Sequence, residues 1–225
     1  MTRIVLSCLS LALATVALAE APKVTAPISG PAKWEKSIAA FEAADKISPP
    51  PARGIEFVGS STMVKWKTLT EDFPGLPVFN RGFGGSQSSD VLFYLDRVIL
   101  AYKPKTIVFY AGDNDLGAGK KAEDVIATWA KIMARLTQEL PDTKIIYLSL
   151  RPSLKRLALL DEQKKTNEGI KASIEGKANV QFVNLTPALT DKEGKPNGAL
   201  LVEDKLHLNA EGYKVLTKIV TPLLK

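Results

Sequence analysis

Five short apolar runs, separated by longer segments of helical periodicity, constrain the fold of this chain more than any other feature. The runs are Ile55 to Val58, Pro77 to Phe79, Thr106 to Ala111, Lys144 to Leu150 and Val180 to Leu185. Helical patterns fill the intervals from about Thr62 to Leu69, Ser88 to Ala101, Ala122 to Leu140 and Leu154 to Ile174, and Asn209 to Leu224 closes the chain. Thr106-Ile107-Val108-Phe109-Tyr110 is apolar without alternation, as a strand buried on both faces should be. Strands alternating with helices predict an α/β domain whose five-stranded parallel sheet is covered on both faces. Right-handed crossovers gather all the strand C-terminal ends along one edge. Open sheets of this kind bind ligands at that edge, where the strand order reverses.

The residues that follow the strand ends therefore matter most. The first run leads into Gly59-Ser60-Ser61 and then Thr62-Met63-Val64-Lys65-Trp66, which reads as a helix start. A serine at such a turn sits where unpaired backbone N–H groups favour developing negative charge. That suits a nucleophile, and it is equally the place of an ordinary N-cap. The second run leads into Asn80-Arg81-Gly82-Phe83-Gly84-Gly85-Ser86, and the third into Gly112-Asp113-Asn114-Asp115. Gly85 can offer a backbone N–H where no side chain blocks approach, Asn114 a side-chain amide, and Ser61 its own N–H. Losing one such oxyanion donor typically costs about 10²- to 10³-fold in rate. A flexible connection is the commoner meaning of a Gly-rich loop. A nucleotide-phosphate loop is poorly supported, because GxxxxGK[ST] is absent.

A serine hydroxyl becomes a useful nucleophile only when a base within hydrogen-bond reach takes its proton. His207, in Asp204-Lys205-Leu206-His207, is the one histidine in the sequence, so it is the only imidazole available for that task. Asp204 lies three residues earlier, close enough in a turn to accept the Nδ1 proton and fix the tautomer. A surface histidine capping the closing helix is the plainer alternative.

The N-terminus has a different character. Met1-Thr2-Arg3 precedes an apolar run from Ile4 to Leu18 that ends in Ala17-Leu18-Ala19, the small-x-small pattern of a cleaved export signal. The run is shorter than the roughly 20 residues of a spanning helix. The expectation is a signal peptide over residues 1–19, periplasmic or secreted localisation, and no stable membrane insertion of the mature chain. Cys8, the only cysteine, falls inside that segment, leaving no thiol for a disulfide or thiolate metal site. Lipidation of Cys8 is less favoured, since few apolar residues precede it. Residues 20–52 read as a Pro- and Ala-rich tether followed by a short helix carrying Trp34, Ile38 and Phe41 on one face, stopped by Ser48-Pro49-Pro50-Pro51. That stripe reads as core packing.

Composition removes other classes. With 45% hydrophobic and 24% charged residues the chain is an ordinary globular sequence. The net charge of +6 comes from lysines scattered among carboxylates, as in Lys120-Lys121-Ala122-Glu123-Asp124. No basic stripe with interleaved aromatics is present, so nucleic acid is not an expected partner.

The stretches Phe57-Val58-Gly59-Ser60-Ser61, Asn80-Arg81-Gly82-Phe83-Gly84-Gly85, Gly112-Asp113-Asn114-Asp115 and Asp204-Lys205-Leu206-His207 together resemble the four blocks of the SGNH subgroup of GDSL-type esterases and lipases. They occur in family order and span nearly all of the chain after the Pro break. The resemblance implies a flavodoxin-like three-layer α/β/α sandwich, the SGNH hydrolase fold, over residues 53–225. It implies Ser61 as nucleophile, Gly85 and Asn114 with the Ser61 N–H in the oxyanion hole, and Asp204 and His207 completing a triad. It also implies a small-molecule ester substrate and no metal or organic cofactor. The family's first block usually reads Gly-Asp-Ser, whereas Ser60 stands here in the Asp position. Aligning Gly59 with the family glycine leaves Ser61 as the expected nucleophile and Ser60 as the less favoured choice. Asp113 and Asp115 are expected to structure their loop.

Substrate choice is less legible. Phe83, Trp66 and Arg151, the last in Arg151-Pro152-Ser153 after the fourth strand, are candidates for lining the acyl or leaving-group pocket. Packing or a turn explains each equally well. The absence of a long lid-like insertion favours small or soluble esters. An O-acyltransferase using the same site, or a glycan- or peptide-binding module without turnover, are the competing functions, since fold does not fix function. Oligomeric state is not indicated.

Overall fold

The computed structural model describes residues 31–225. The expected signal segment with Cys8 and the Pro- and Ala-rich tether over residues 20–30 lie outside the described residues. In chain order the elements are α1 (Glu35–Ile47), β1 (Ile55–Gly59), α2 (Ser61–Val64), α3 (Leu69–Asp72), β2 (Val78–Gly82), α4 (Ser88–Phe93), β3 (Thr106–Tyr110), α5 (Asp113–Gly117), α6 (Ala122–Glu139), β4 (Lys144–Leu148), α7 (Leu160–Ser173), β5 (Val180–Val183), α8 (Thr186–Leu189) and α9 (Ala210–Val220). The five strands pair in parallel in the order β2-β1-β3-β4-β5. This is the expected parallel α/β sheet, and its order reverses between β1 and β3.

Side chains alternate along each strand, and the core divides accordingly. Val58, Ile107, Phe109, Ile145 and Tyr147 belong to one buried cluster, with Trp129 of α6 and Ile170 of α7. Ile55, Phe57, Val108, Tyr110, Ile146 and Leu148 belong to the other, with Tyr213 and Leu216 of α9. β1, β3 and β4 thus each supply apolar side chains to both layers, which is why their runs show no polar alternation. The amphipathic α1 packs Ile38 and Phe41 against the first cluster. Its polar side is pinned as well: Asp45 pairs with Arg81 of β2, and Glu35 and Glu42 both pair with Arg97. The Arg81 guanidinium lies over the rings of Phe41, Phe79 and Tyr102 at 4.5 to 5.2 Å.

Several boundaries differ from the sequence reading. β2 runs on through Asn80, Arg81 and Gly82, read above as loop, because these residues continue the ladder opposite Phe57 to Gly59. The pattern from Thr62 to Leu69 breaks into α2 and α3. Ser88 to Ala101 breaks into α4 and a π-helical turn, Asp96–Leu100. Leu154–Leu159 is a 3-10 segment preceding α7, with Arg156 held at φ −122, ψ 33. Asp113–Gly117, read as a loop, is helical. Apolar period marks where a chain is buried; it does not mark where short turns interrupt the helix, since those follow from local hydrogen bonds.

One core residue conflicts with its surroundings. Glu56 is fully buried in β1, and neither carboxyl oxygen has a hydrogen-bond partner among the described residues. Burial pushes its carboxyl well above the ordinary 4.5, and the Arg81 guanidinium opposes this only in part. Such a shift costs stability as pH rises. At pH values below the ordinary carboxyl range both states are protonated; above it the unfolded chain ionises while the folded chain does not. Glu56→Gln has no proton to lose, so it should gain on wild type between about pH 4 and pH 7, by up to about 1.4 kcal/mol per pH unit. Urea unfolding at both pH values measures this, and a difference independent of pH contradicts it.

Candidate active site

The site forms where β1 and β3 end side by side. Gly59, the last residue of β1, has φ +133, and a Cβ on it would stand 1.9 Å from the Tyr110 carbonyl oxygen. Only glycine allows this approach. Ser60 N–H then donates to Tyr110 O at 3.0 Å, while the Ser60 carbonyl accepts from Met63 and Val64 as α2 begins. Ser60 is buried, at 2% exposure. Ser61 is half-buried, and its Oγ lies 3.0 Å from His207 Nε2. The geometry therefore separates the two serines: Ser61, not Ser60, meets the imidazole.

His207 is held by a tight turn. Leu201 and Leu208 bridge antiparallel, Val202 N–H donates to His207 O at 2.9 Å, and Lys205 takes the left-handed φ of +59. Asp204 sits at the head of this turn. Its Oδ1 accepts from the Leu206 and His207 N–H groups, each at 2.9 Å, leaving Oδ2 to accept the His207 Nδ1 proton at 2.6 Å. That tautomer leaves Nε2 free to accept from the Ser61 hydroxyl. Desolvation pushes the Asp204 carboxyl up, but hydrogen bonds from the His207 ring and from the His207 and Leu206 backbone outweigh it and hold the group well below the usual carboxylate range. It therefore stays an acceptor wherever an imidazole can act as base.

The donor side is built from two loops tied to the same strand end. Phe83 N–H donates to Gly59 O at 2.9 Å and Ser86 Oγ to the same oxygen at 3.3 Å. Between them Gly85 is exposed, with φ +78. Neither its N–H nor that of Ser61 has a protein acceptor among the described residues. Asn114 stands in the first turn of α5, after Gly112 at φ +119. Its Nδ2 donates to Ser86 O at 2.9 Å, and since an amide nitrogen carries two hydrogens, one remains for a ligand. Asp115, fully buried, accepts from Ser88 N–H at 2.8 Å and Ser88 Oγ at 2.7 Å, joining α5 to the start of α4. Asp113 pairs with Arg156 and accepts from Gln163 Nε2 at 2.7 Å. Both aspartates thus structure the loop.

The three residues expected to line a substrate pocket lie in the core. Trp66 is 2% exposed and packs on Phe57, Phe73 and Tyr213, its indole N–H donating to Asp72 at 2.6 Å. Phe83 is 1% exposed, edge-on to Trp34 and Tyr94. Arg151 is 2% exposed and donates Nη2 to Leu206 O at 2.8 Å, behind the His207 turn. Burial leaves them no surface for a ligand, so the expectation is corrected for all three. Two residues near the site had no such expectation. Trp34 packs against the core cluster as expected but is half-buried, and a Cβ on Gly85 would meet its ring at 3.3 Å. Arg156 donates Nη2 to Asn114 Oδ1 at 2.9 Å; inside a helical pattern, nothing in its sequence neighbourhood marks it.

Elsewhere, a cleft of about 620 Å³ between α7 and the end of β5, lined by Leu150, Gln163 and Phe182 among others, contains none of the Ser61 constellation. Among the described residues no group of three or more His, Cys, Asp or Glu is placed to hold a metal ion, and no helix is long and apolar enough to cross a membrane.

The chain and its fold are similar to those of known proteins. A model of the GDSL-like lipase/acylhydrolase family matches residues 54–215. Platelet-activating factor acetylhydrolase IB subunit alpha1 of Bos taurus is 25% identical over 211 residues, covering 92% of this chain and 88% of that protein. The fold is similar to that of a GDSL-like lipase from Bacteroides thetaiotaomicron, with TM-score 0.69 and 17% identity over 83% of this chain and 96% of the other. An acetylxylan esterase from Geobacillus stearothermophilus superposes with TM-score 0.62 and 16% identity, over 76% and 93% of the two chains. Because the matched region runs from the start of β1 into α9, the chain belongs to the GDSL-like lipase/acylhydrolase family and is a carboxylic ester hydrolase.

Proposed function

We propose that the protein is a serine esterase that hydrolyses short-acyl esters through an acyl-enzyme on Ser61. The observation that carries this is the continuous hydrogen-bonded line from Ser61 Oγ to His207 Nε2 and from His207 Nδ1 to Asp204 Oδ2. Ser61 Oγ attacks the ester carbonyl carbon while its proton passes to Nε2. The carbonyl electron pair moves onto oxygen, where the N–H groups of Ser61 and Gly85 and the Asn114 amide receive it. Collapse of this intermediate breaks the bond to the alcohol, which leaves with the proton from Nε2. Water then gives its proton to His207 and attacks the acyl group. The carboxylic acid departs and Ser61 regains its hydrogen. Asp204 keeps the imidazole in the productive tautomer and balances its transient positive charge.

Support for a short acyl group comes from the names of the relatives, an acetylhydrolase and an acetylxylan esterase, and from the half-buried Trp34 ring standing beside Gly85. An acetylated sugar or a small lipid-derived ester fits these constraints. The Met1 to Ala19 pattern supports export to the periplasm or medium.

Ser61→Ala is expected to abolish nitrophenyl acetate hydrolysis and labelling by a fluorophosphonate, whereas Ser60→Ala retains both. Mass spectrometry of the labelled peptide decides between the serines. Asp204→Asn, which presents a donor to Nδ1, should lower kcat by roughly 10²- to 10⁴-fold with the fold intact by circular dichroism. Across nitrophenyl esters of increasing chain length, kcat/KM is expected to peak at acetyl or propionyl and fall by roughly tenfold or more at octanoyl. A profile rising with chain length rejects the short-acyl assignment. N-terminal sequencing of protein recovered from the periplasm should begin at Glu20.

A further inference from the structure

We propose that Arg156 is a positioning residue of the oxyanion hole, one that sets which end of the Asn114 amide faces the substrate; this rests on the esterase reading above. An asparagine side chain has an acceptor end and a donor end of nearly the same shape, and only its partners decide which way it points. An oxyanion is stabilised by the donor end and repelled by the acceptor end. Nothing in the backbone of α5 makes that choice.

The partners of Asn114 make it. Arg156 Nη2 donates to Oδ1 at 2.9 Å, and Nδ2 donates to Ser86 O at 2.9 Å. Rotating the amide by half a turn would set two acceptors against each other at Ser86 and two donors against each other at Arg156. Because a guanidinium has donors and no acceptor, Arg156 can hold only Oδ1. The arginine is itself fixed. Its Nη1 donates to the Asp113 backbone carbonyl at 2.8 Å and also to Asp113 Oδ2. The other carboxylate oxygen accepts from Gln163 Nε2, in a side chain 3% exposed on α7. A chain of polar contacts thus runs from α7 through Asp113 and Arg156 to Asn114.

Steric fit completes the arrangement. The guanidinium rests against Gly117 at the end of α5, where a Cβ would come within 2.9 Å of Nη2 and 3.1 Å of Cζ. The backbone of Arg156 leaves helical geometry to reach this position. Asp113 compensates the arginine charge, so the role is orientation and polarisation of the amide more than a net positive field. A lysine cannot reproduce the fork that reaches Asp113 and Asn114 together.

The test is a double-mutant cycle on the full chain with Arg156→Ala, Arg156→Lys and Asn114→Ala, reading kcat and KM for nitrophenyl acetate, the rate of fluorophosphonate labelling, and thermal melting. Arg156→Ala is expected to lower kcat and labelling by about 10- to 10²-fold with KM changed less than about threefold, within the range for one lost oxyanion donor. In the Asn114→Ala background the same change should cost less than about twofold, because the group through which it acts is gone. Millimolar guanidinium should restore part of the Arg156→Ala loss and none of the Asn114→Ala loss. If Arg156→Ala does not fold, Arg156→Lys is read through the same cycle, with a smaller loss that likewise vanishes beside Asn114→Ala. A loss that persists undiminished in the Asn114→Ala background, or wild-type kcat in a folded Arg156→Ala, overturns the assignment. Wild-type protein that neither turns over the ester nor takes up the probe overturns the esterase reading itself.

Discussion

The approach of Gly59 to Tyr110 is the contact on which the rest of the site depends. Two parallel strands end there with no side chain between them, because a Cβ on Gly59 would overlap the Tyr110 carbonyl. The close fit lets Ser60 N–H bond across the gap and turns the chain at once into α2, which brings Ser61 to the surface. The Gly59 carbonyl, directed the other way, receives Phe83 N–H and Ser86 Oγ. One residue therefore sets the position of the hydroxyl and anchors the loop that carries Gly85. The order β2-β1-β3 makes this possible, since β1 sends its connection, α2 and α3, to one face of the sheet while β2 and β3 send theirs, α4 and α6, to the other.

Carboxylates do much of the remaining positioning, each by a different physical route. Asp115 is fully buried and spends its acceptors on Ser88, fixing α4 against α5. Asp113 binds Arg156 and Gln163, linking α7 to the donor side of the site. Asp204 uses one oxygen for backbone N–H groups and the other for the imidazole, so the turn that shapes the loop also chooses the histidine tautomer. Buried carboxylates such as Asp113 and Asp115 are stable only when so paired. Glu56 breaks that rule, fully buried without a hydrogen-bond partner among the described residues, and burial keeps its carboxyl in the neutral form well past the ordinary range.

The fold was legible because burial on two faces leaves an unmistakable composition: runs such as Thr106 to Tyr110 have no polar side to show. The Asp204 to His207 spacing was legible because a three-residue interval brings its ends together where the chain turns, as it does here with Lys205 at φ +59. The pocket residues were misjudged for a related reason. Trp66, Phe83 and Arg151 all follow strand ends, but being near the edge in sequence does not give a side chain its direction, and each turns inward to pack or to hold a carbonyl. Trp34 packs against the core as its spacing implies, but only in part. Its helical spacing with Ile38 and Phe41 marks an apolar face, and only the packing of the turn before α1 leaves the Trp34 ring half-buried beside Gly85.

By itself the sequence determined a parallel α/β sheet with polar, glycine-rich loops at one edge and a single imidazole able to serve a serine, because periodicity and residue chemistry are local properties. Tertiary structure decided which of two adjacent serines meets that imidazole, at 3.0 Å from Ser61 while Ser60 is buried. It also decided that an arginine forty-two positions from Asn114 in the chain holds the acceptor end of its amide. Such pairings arise when strands and helices far apart in sequence pack against each other. They are set by the packing and have no signature in the order of residues on either side.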